Sequence, residues 1–346
     1  MPAVQDVREP HANMADVAAR AGVSSATVSR ALRGLPGVSP ATRDRIRQIA
    51  EELSYVVSPE ASRLSRRQTG RVAVVVPKID VWFYSAMLAS IEAHLREADL
   101  DVLIYQVDGR EQRSRFFREL PSRRKVDAVV LIALPVLEDE EERLDLLGVQ
   151  VVVAGGELRD YPHARVDDQA VAVLAVQHLI ELGHRRIAMI RTSDTTGTIW
   201  SSYTERTRGY LDALRAADLD VREEYLVTEP FGLRAGTDGV AALLALDEPP
   251  TAVFAYSDEI AISALRGLQQ RGVRVPEELS VVAVDDHPMA ALFDLTTVAQ
   301  HVPDQGRLAA TQVLALVHGT GAAEDSLVVD PHLVIRGTTA PPPDRR

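Results

Sequence analysis

The 346-residue chain is 46% hydrophobic and 25% charged, carries a formal net charge of −12 and has no cysteine. That length exceeds what one ordinary core fills, so two or three domains are expected, with a composition typical of soluble proteins. No apolar run reaches membrane-spanning length, the opening MPAVQDVREPHAN lacks the apolar core of a signal peptide, and the missing thiols exclude disulfides and thiolate metal sites, so a cytoplasmic protein is the simplest expectation.

Residues 1–13 read as an unstructured lead-in. Residues 15–32, ADVAARAGVSSATVSRAL, read as two short helices joined by a tight turn. Val17, Ala18 and Ala21 share one face of the first helix. Gly22 stands where a chain leaving a helix often turns left-handed. Ser24 is a good N-cap for the second helix. Helical spacing turns Val28, Ala31 and Leu32 to one side of it, and Ala26, Ser29, Arg30 and Arg33 to the other. An apolar side for packing and a side bearing hydroxyls and guanidinium groups suit a helix lying in a DNA major groove. Alanine-rich helix pairs broken by glycine also occur in domains that bind no nucleic acid, so this stretch alone leaves both readings open. The negative net charge does not decide between them, because phosphate attraction is local. Arg30, Arg33, Arg43, Arg45, Arg47, Arg63, Arg66, Arg67 and Arg71 crowd the start of the chain, whereas acidic runs such as EDEEE at 138–142 come later and read as solvated faces.

Ser39-Pro40 is a cap followed by proline in the first helical position, and a third helix is expected to run to about Leu53 with Ile46, Ile49 and Leu53 at core spacing. Three helices bury little, so this small domain is expected to need DNA or a partner subunit for full order. Ser58-Pro59-Glu60 repeats the start signal, but PEASRLSRR is too short to hold a helix in isolation.

From Arg71 the texture changes. VAVVV (72–76), VLIYQ (102–106), AVVLI (128–132) and QVVVA (150–154) are short β-branched runs separated by helical segments, as in a parallel sheet covered on both faces. The pattern restarts with IAMI (187–190), a strand near Leu226, AVFAY (252–256) and SVVAV (280–284). Two successive α/β units of similar size imply two lobes, and ligands gather at the carboxyl ends of parallel strands.

The blocks DVAARAGVSSATVSRAL, VSPATRDRI and ELSYVVSPEASRLSR, in this order and spacing, resemble the start of the lactose-repressor (LacI/GalR) family of bacterial transcription regulators. Further matches are HLIELGHRRIAMI (178–190) with Asp167 upstream, ERTRGY (205–210), SDEIAISAL (257–265), SVVAVDD (280–286), LTTVAQ (295–300) and LVIRGTTAPP (333–342), so the resemblance covers nearly the whole chain. It implies a small all-α helix-turn-helix DNA-binding domain at 12–57, a hinge helix and linker at 58–70, and a two-lobed α/β periplasmic-binding-protein-like domain at 71–346. The first lobe is expected at about 71–167 and 301–327, and the second at about 168–300 and 328–340. A closing helix at 305–317 returns to the first lobe, and no leucine-heptad tetramerisation helix follows. The resemblance therefore implies a homodimer.

By the same resemblance, Ser25, Ala26 and Arg30 face base edges, an arginine suiting guanine and Ala26 a thymine methyl. Ser24, Thr27, Ser29, Ser39, Thr42 and Tyr55 match phosphate-contacting positions, although Tyr55 also fits a core aromatic whose hydroxyl reaches the surface. In the hinge, Leu64 would wedge into the minor groove beside Ala61, with Ser58 in place of the family's usual asparagine. In the effector site, Asp285 ends a strand where a carboxylate could accept two sugar hydroxyls, its alternative being to cap the next turn. Arg206 matches a ligand-holding arginine and is otherwise a surface arginine. Ser257 replaces a frequent asparagine, Phe231 matches a stacking aromatic, and Phe83 or Tyr84 could face it. Ala154, Gly155 and Gly156 replace a polar group often found there.

No catalytic constellation emerges. Asp285 and Asp286 are sequence neighbours that point apart, His178 and His184 have no carboxylate at metal-ligand spacing, and TSDTTGT (192–198) is not a phosphate loop. The expectation is thus a transcription regulator, without cofactor or metal, that binds pseudo-palindromic operator DNA under control of a small-molecule effector, most plainly a sugar. Its rivals are a regulator answering to a protein or non-sugar corepressor, an activator, a solute-binding module, and an α/β enzyme with a regulatory head. Each implies a different observable: a protein-binding lobe surface, absence of DNA affinity, or turnover.

Overall fold

A computed structural model describes residues 12–32, 34–53, 55, 69–107, 109–119, 126–146, 148–193, 201–319 and 326–343, in two compact units, Met1–Thr69 and Gly70–Arg346. Among its described residues the smaller unit forms a cluster of three helices, α1 (Met14–Ala21), α2 (Ser25–Leu32) and α3 (Pro40–Glu52). Each start is fixed by a side chain. Asn13 accepts the backbone N–H groups of Ala15 and Asp16 while Asp16 reaches back to the N–H of Asn13, a capping box. Ser24 Oγ accepts from Thr27 N at 3.2 Å, and Ser39 Oγ from Thr42 N at 3.2 Å. Gly22 leaves α1 at φ 67°, as expected for a left-handed cap. Val17, Ala18, Ala21, Val28, Ala31, Ile46, Ile49 and Ala50 form the core, with Leu53 and Tyr55 packed at its edge. The third helix stops at Glu52, one residue short of expectation, and Leu53 serves as its C-cap.

The larger unit runs β1 (Arg71–Val76), α4 (Trp82–Glu97), β2 (Asp101–Gln106), α5 (Gly109–Glu119), β3 (Ala128–Ile132), α6 (Glu138–Asp145), β4 (Gln150–Ala154) and β5 (His163–Val166). It continues with α7 (Asp168–Glu181), β6 (Ile187–Ser193), α8 (Ser201–Ala216), β7 (Leu226–Pro230), α9 (Ala235–Leu244), β8 (Ala252–Ala255) and α10 (Asp258–Gln270). It ends with β9 (Ser280–Asp285), β10 (Thr296–Ala299), α11 (Val302–His318), β11 (Ser326–Val329) and β12 (His332–Val334). The strands make two six-stranded sheets, β11-β5-β4-β3-β1-β2 and β12-β10-β9-β8-β6-β7. The first is parallel throughout; the second is parallel except for the β10–β12 pair.

The runs at 72–76, 128–132 and 151–154 are buried because helices cover both faces, whereas β2, at the edge of its sheet, is only partly buried. In the first lobe α4 and α11 pack on one face through Met87, Ile91, Leu95, Ala309 and Val313, while α5 and α6 cover the other through Phe116, Phe117 and Leu144. In the second lobe α7 and α8 cover one face and α9 and α10 the other. No helix among the described residues is long and apolar enough to cross a membrane.

The chain passes between lobes three times: after β5, between β10 and α11, and between β11 and β12. The last changeover was expected near 327/328; it falls at 330–331, because β11 pairs with β5 through Val329↔Val166. The closing helix is longer than expected and packs on the first lobe as expected. Four strands had no signal in the run of β-branched residues: HARV, TTVA, SLVV and HLV are short, and each mixes polar with apolar residues or borders a crossing. The acidic stretch at 138–142 is not simply a solvated face. Glu140 and Glu141 are buried, Glu140 receiving Arg113 Nε at 2.7 Å and Glu141 pairing with Arg159. These arginines hold α6 against α5 and the loop after β4, a role that the local acidic pattern does not reveal.

Candidate functional site

Two places gather the residues expected to carry function. The first is the outward side of α2. Ser25, Ala26 and Arg30 are exposed there, opposite the buried Val28 and Ala31, so the two-sided pattern read from spacing exists in the fold. Ser24 and Thr27 share a hydroxyl–hydroxyl bond of 2.9 Å, and Ser39 and Thr42 one of 2.8 Å. Ser24 and Ser39 therefore act at helix starts, and Thr27 and Thr42 bond to them from the first turns. Ser29 and Tyr55 are half-buried. Tyr55 packs at the edge of the three-helix core. Ser58, Ala61 and Leu64 lie outside the described residues.

The second place is a cleft of about 580 Å³, counting its mouth, at the carboxyl ends of strands from both sheets. From the first lobe come Lys78, Phe83, Tyr84, Ala133 and Gly155, and from the second Asp168, Ser202, Arg206, Phe231, Tyr256, Ser257, Glu259 and Asp285, with Gln300 at a crossing. All five residues proposed from sequence, Phe83, Arg206, Phe231, Ser257 and Asp285, line it. So does Tyr84, which is itself buried.

Arg206 is not a surface arginine. Its side chain is 5% exposed; Nε donates to Asp168 Oδ1 at 2.7 Å and Nη1 to the carbonyl of Tyr256 at 2.6 Å, and the guanidinium lies 4.6 Å from the Tyr256 ring centroid. Burial opposes the cation, but Asp168, Tyr256 and Asp285 outweigh it and raise the group above its ordinary value. The pairing needs α7 and α8 in close contact, and a Cβ at Gly209, one turn after Arg206, would collide with the carbonyl of Gln169. Asp167, by contrast, caps α7 by accepting Ala170 N at 2.9 Å.

Asp285 is buried and bonded to Gln300 Nε2, at φ 134°, in a region that side-chain-bearing residues rarely occupy. Burial pushes its carboxyl up to about 7, against the opposing pull of Arg206 and Gln300. Behind it, Asp258 is fully buried, accepting Thr297 Oγ1 at 2.6 Å and His287 N at 2.8 Å; burial and the Asp285 charge raise it too. The acid pair is thus Asp258 with Asp285. Asp286 diverges, as expected, and bonds Arg336 Nη2 at 2.6 Å. Ser257 caps α10 through Ile260 N, so its hydroxyl is partly committed.

The first lobe supplies an apolar wall. Gly155 leaves β4 at φ 71°, and a Cβ there would sit 2.8 Å from Phe83 Cζ, so the glycine makes room for the Phe83 ring. This gives a physical reason for Gly155, whereas a Cβ at Gly156 would meet only ordinary contacts. His184 is structural: its ring bonds Thr251, Ser280 and the carbonyl of Ala340, tying the terminal segment to the second sheet. Among the described residues no group of three or more His, Asp or Glu is placed to hold a metal ion.

Asp168, Tyr256, Gln300, Glu259, Ser202 and Lys78 were not anticipated. Five of the six sit within four residues of a strand's carboxyl end, and Ser202 is in the first turn of α8. Tracing every strand to its end would have found most of them.

Residues 13–58 match the model of bacterial regulatory proteins, lacI family, and residues 176–339 that of the periplasmic binding protein-like domain. The HTH-type transcriptional repressor CytR of Escherichia coli (strain K12) is 33% identical over 336 residues, which is 96% of this chain and 97% of that protein. The solved transcriptional regulator CelR–cellobiose complex is 30% identical with a TM-score of 0.71, covering 94% of this chain and 99% of the other. The lac repressor dimer bound to operator and the anti-inducer ONPF, at 23% identity, shares the fold with a TM-score of 0.84 over 96% of this chain and 100% of that one.

Proposed function

The chain belongs to the lacI family of bacterial regulatory proteins and is a DNA-binding transcriptional regulator, and we propose that it is a homodimeric repressor whose operator affinity is set by a sugar held between its two lobes. In this reading α2 enters the major groove of each half-site of a pseudo-palindromic operator. Arg30 reads guanine, Ser25 and Ala26 approach neighbouring base edges, and Ser24, Thr27, Ser29, Ser39, Thr42 and Tyr55 set the register on phosphates. The segment bearing Ser58, Ala61 and Leu64 acts at the minor groove between the half-sites, with Leu64 as the wedge.

The effector half of the reading is carried by one observation: Asp285 and Arg206, two charged groups fixed by Gln300 and Asp168, line the same cleft as Phe83 and Phe231. A sugar offers hydroxyls that both donate to a carboxylate and accept from a guanidinium, and C–H faces that lie on aromatic rings. The cellobiose held by the similar CelR supports a neutral saccharide as the ligand class. Arg30→Ala is expected to relax base preference and cost about 1–3 kcal/mol at its half-site.

The test begins with duplexes selected from a randomised pool, followed by thermal-shift screening of cellobiose and other neutral mono- and disaccharides. Operator titration at fixed salt with each hit then follows. A saccharide that raises the melting temperature and changes operator affinity supports the proposal. Hits that leave operator affinity unchanged, or a screen of saccharides with no hit, would remove the sugar effector from it.

A further inference from the structure

One interlobe crossing carries a histidine and the strand that follows another begins with one, and the two rings touch. His301, between β10 and α11, places Nε2 3.0 Å from Nδ1 of His332, at the start of β12 beyond the β11 crossing. The ring centroids are 4.9 Å apart and the planes are inclined at 33°. His301 holds a left-handed backbone, φ 50° and ψ 51°, a conformation that costs a residue with a Cβ and therefore needs support. We propose that His301 and His332 form a proton-sensitive clasp that ties two of the interlobe crossings together and sets how freely the lobes move about the cleft.

The chemistry follows from the donor inventory of imidazole. A bond between two ring nitrogens needs one N–H and one lone pair, so it forms when both rings are neutral or when one ring carries an extra proton. A second proton makes both facing nitrogens donors, places two cations side by side, and breaks the bond. Imidazole is the side chain whose charge ordinarily changes between about pH 5 and 8. The charged groups facing the pair are Asp304, Arg307 and Asp330. Asp304 Oδ2 lies 3.9 Å from His301 Nδ1, and Arg307 shares Asp304, its Nη2 lying 3.2 Å from Oδ1. Asp330, exposed in the crossing, is two residues before His332. Asp285 accepts from Gln300, the residue before His301.

The clasp is wired to the cleft by short bonds. Gln300, which bonds the Asp285 carboxylate, precedes His301; its carbonyl accepts Gln305 Nε2 at 2.6 Å, and the carbonyl of His301 accepts the backbone N–H groups of Asp304 and Gln305. Register pairing of Ala299 with His332 brings the two crossings side by side. A change at the rings is therefore transmitted within two residues to a group that lines the cleft. The inference rests on the cleft being the effector site, but its test uses no effector.

Because the chain has no cysteine, labels can be introduced singly. Exposed Ser114 on α5 and Ala216 on α8 report one lobe each. Ser114→Cys/Ala216→Cys protein, spin-labelled and diluted into unlabelled chain, is measured by electron–electron resonance at about pH 8 and about pH 5 in chelator-containing buffer, with circular dichroism as the check on folding. The interlobe distance distribution is expected to broaden at the lower pH, and this response to be lost in both His301→Asn, which suits the left-handed backbone, and His332→Gln. An unchanged distribution in the parent, or variants that keep its response, would overturn the clasp. An empty saccharide screen would sink the sugar reading and leave this measurement untouched.

Discussion

Arg206→Ala separates a buried node from a surface charge. The Arg206 and Asp168 side chains are 5% and 10% exposed and 2.7 Å apart, and the same guanidinium holds the Tyr256 carbonyl at 2.6 Å. Deleting the arginine leaves a buried carboxylate and a carbonyl without their donors. Breaking one partner of such a pair costs about 3–5 kcal/mol, against about 0–1 kcal/mol for an exposed pair. For a unit of this size each kcal/mol moves the melting temperature by roughly 2–4 °C, so the larger unit is expected to melt about 6–20 °C lower. Asp168→Asn in the Arg206→Ala background removes the stranded charge and is expected to recover part of the loss. Thermal melts of the full chain followed by circular dichroism measure both effects. A loss of no more than about 4 °C, the size an exposed pair would give, or a double variant no better than Arg206→Ala, would refute the argument that this arginine is an internal support.

Asp285→Asn keeps an oxygen for Gln300 but removes the charge that opposes Asp258. Because the folded-state carboxyl is pushed up to about 7, well above its unfolded value, the wild type gives up stability as pH rises through that range, so the variant is expected to melt higher than wild type by a margin that grows toward pH 8, while losing its response to effector. A pH-independent difference in melts, or a retained response, would contradict this. Burial lowers His184, so its unfolded form binds protons first and stability falls as pH drops below the ordinary histidine value; His184→Gln is expected to flatten that limb of the melting profile. Ser39→Ala, which removes the cap on Thr42 N, is expected to cost the three-helix unit about 0.5–2 kcal/mol, read from the low-stability transition in a denaturant titration.

The legible parts of the chain were those where local chemistry and tertiary structure agree. Ser24, Gly22 and Ser39 act where their side-chain and backbone preferences put them, and the runs at 72–76 and 128–132 became interior parallel strands because they are apolar on both faces. Strands β5, β10, β11 and β12 were illegible for the opposite reason. They are set by pairing partners at the crossings, such as Val329↔Val166 and Ala299↔His332, and not by their own apolarity. In the cleft, Asp285, Arg206 and Phe231 carried a signal through the family resemblance. Asp168 did not, since an acid next to the cap Asp167 looks like ordinary favourable charge at a helix start. Its true partner, Arg206, is 38 residues away in sequence. Glu140 misled in the same way: inside an acidic run, its buried bond to Arg113 has no local mark.

The division of the cleft between lobes bears on how a ligand could act at all. A ligand shifts a conformational equilibrium only through a difference in its affinity for the two states. A molecule touching Asp168, Arg206, Ser257 and Asp285 alone would be bound by one lobe, would meet the same contacts in any lobe arrangement, and would change nothing however tightly it was held. The contacts that distinguish arrangements are those from the first lobe, Phe83 and Lys78 above all, because they approach or recede as the lobes move. Affinity and control are therefore expected to separate by mutation. Second-lobe substitutions should weaken ligand binding as a whole, whereas Phe83→Ala should reduce the coupling between ligand and operator by more than it reduces binding. Since that coupling is reciprocal, the loss must appear equally when operator is titrated with ligand present and when ligand is titrated with operator present. Weakened ligand binding with the coupling to operator unchanged would mean that Phe83 does not act through the lobe equilibrium.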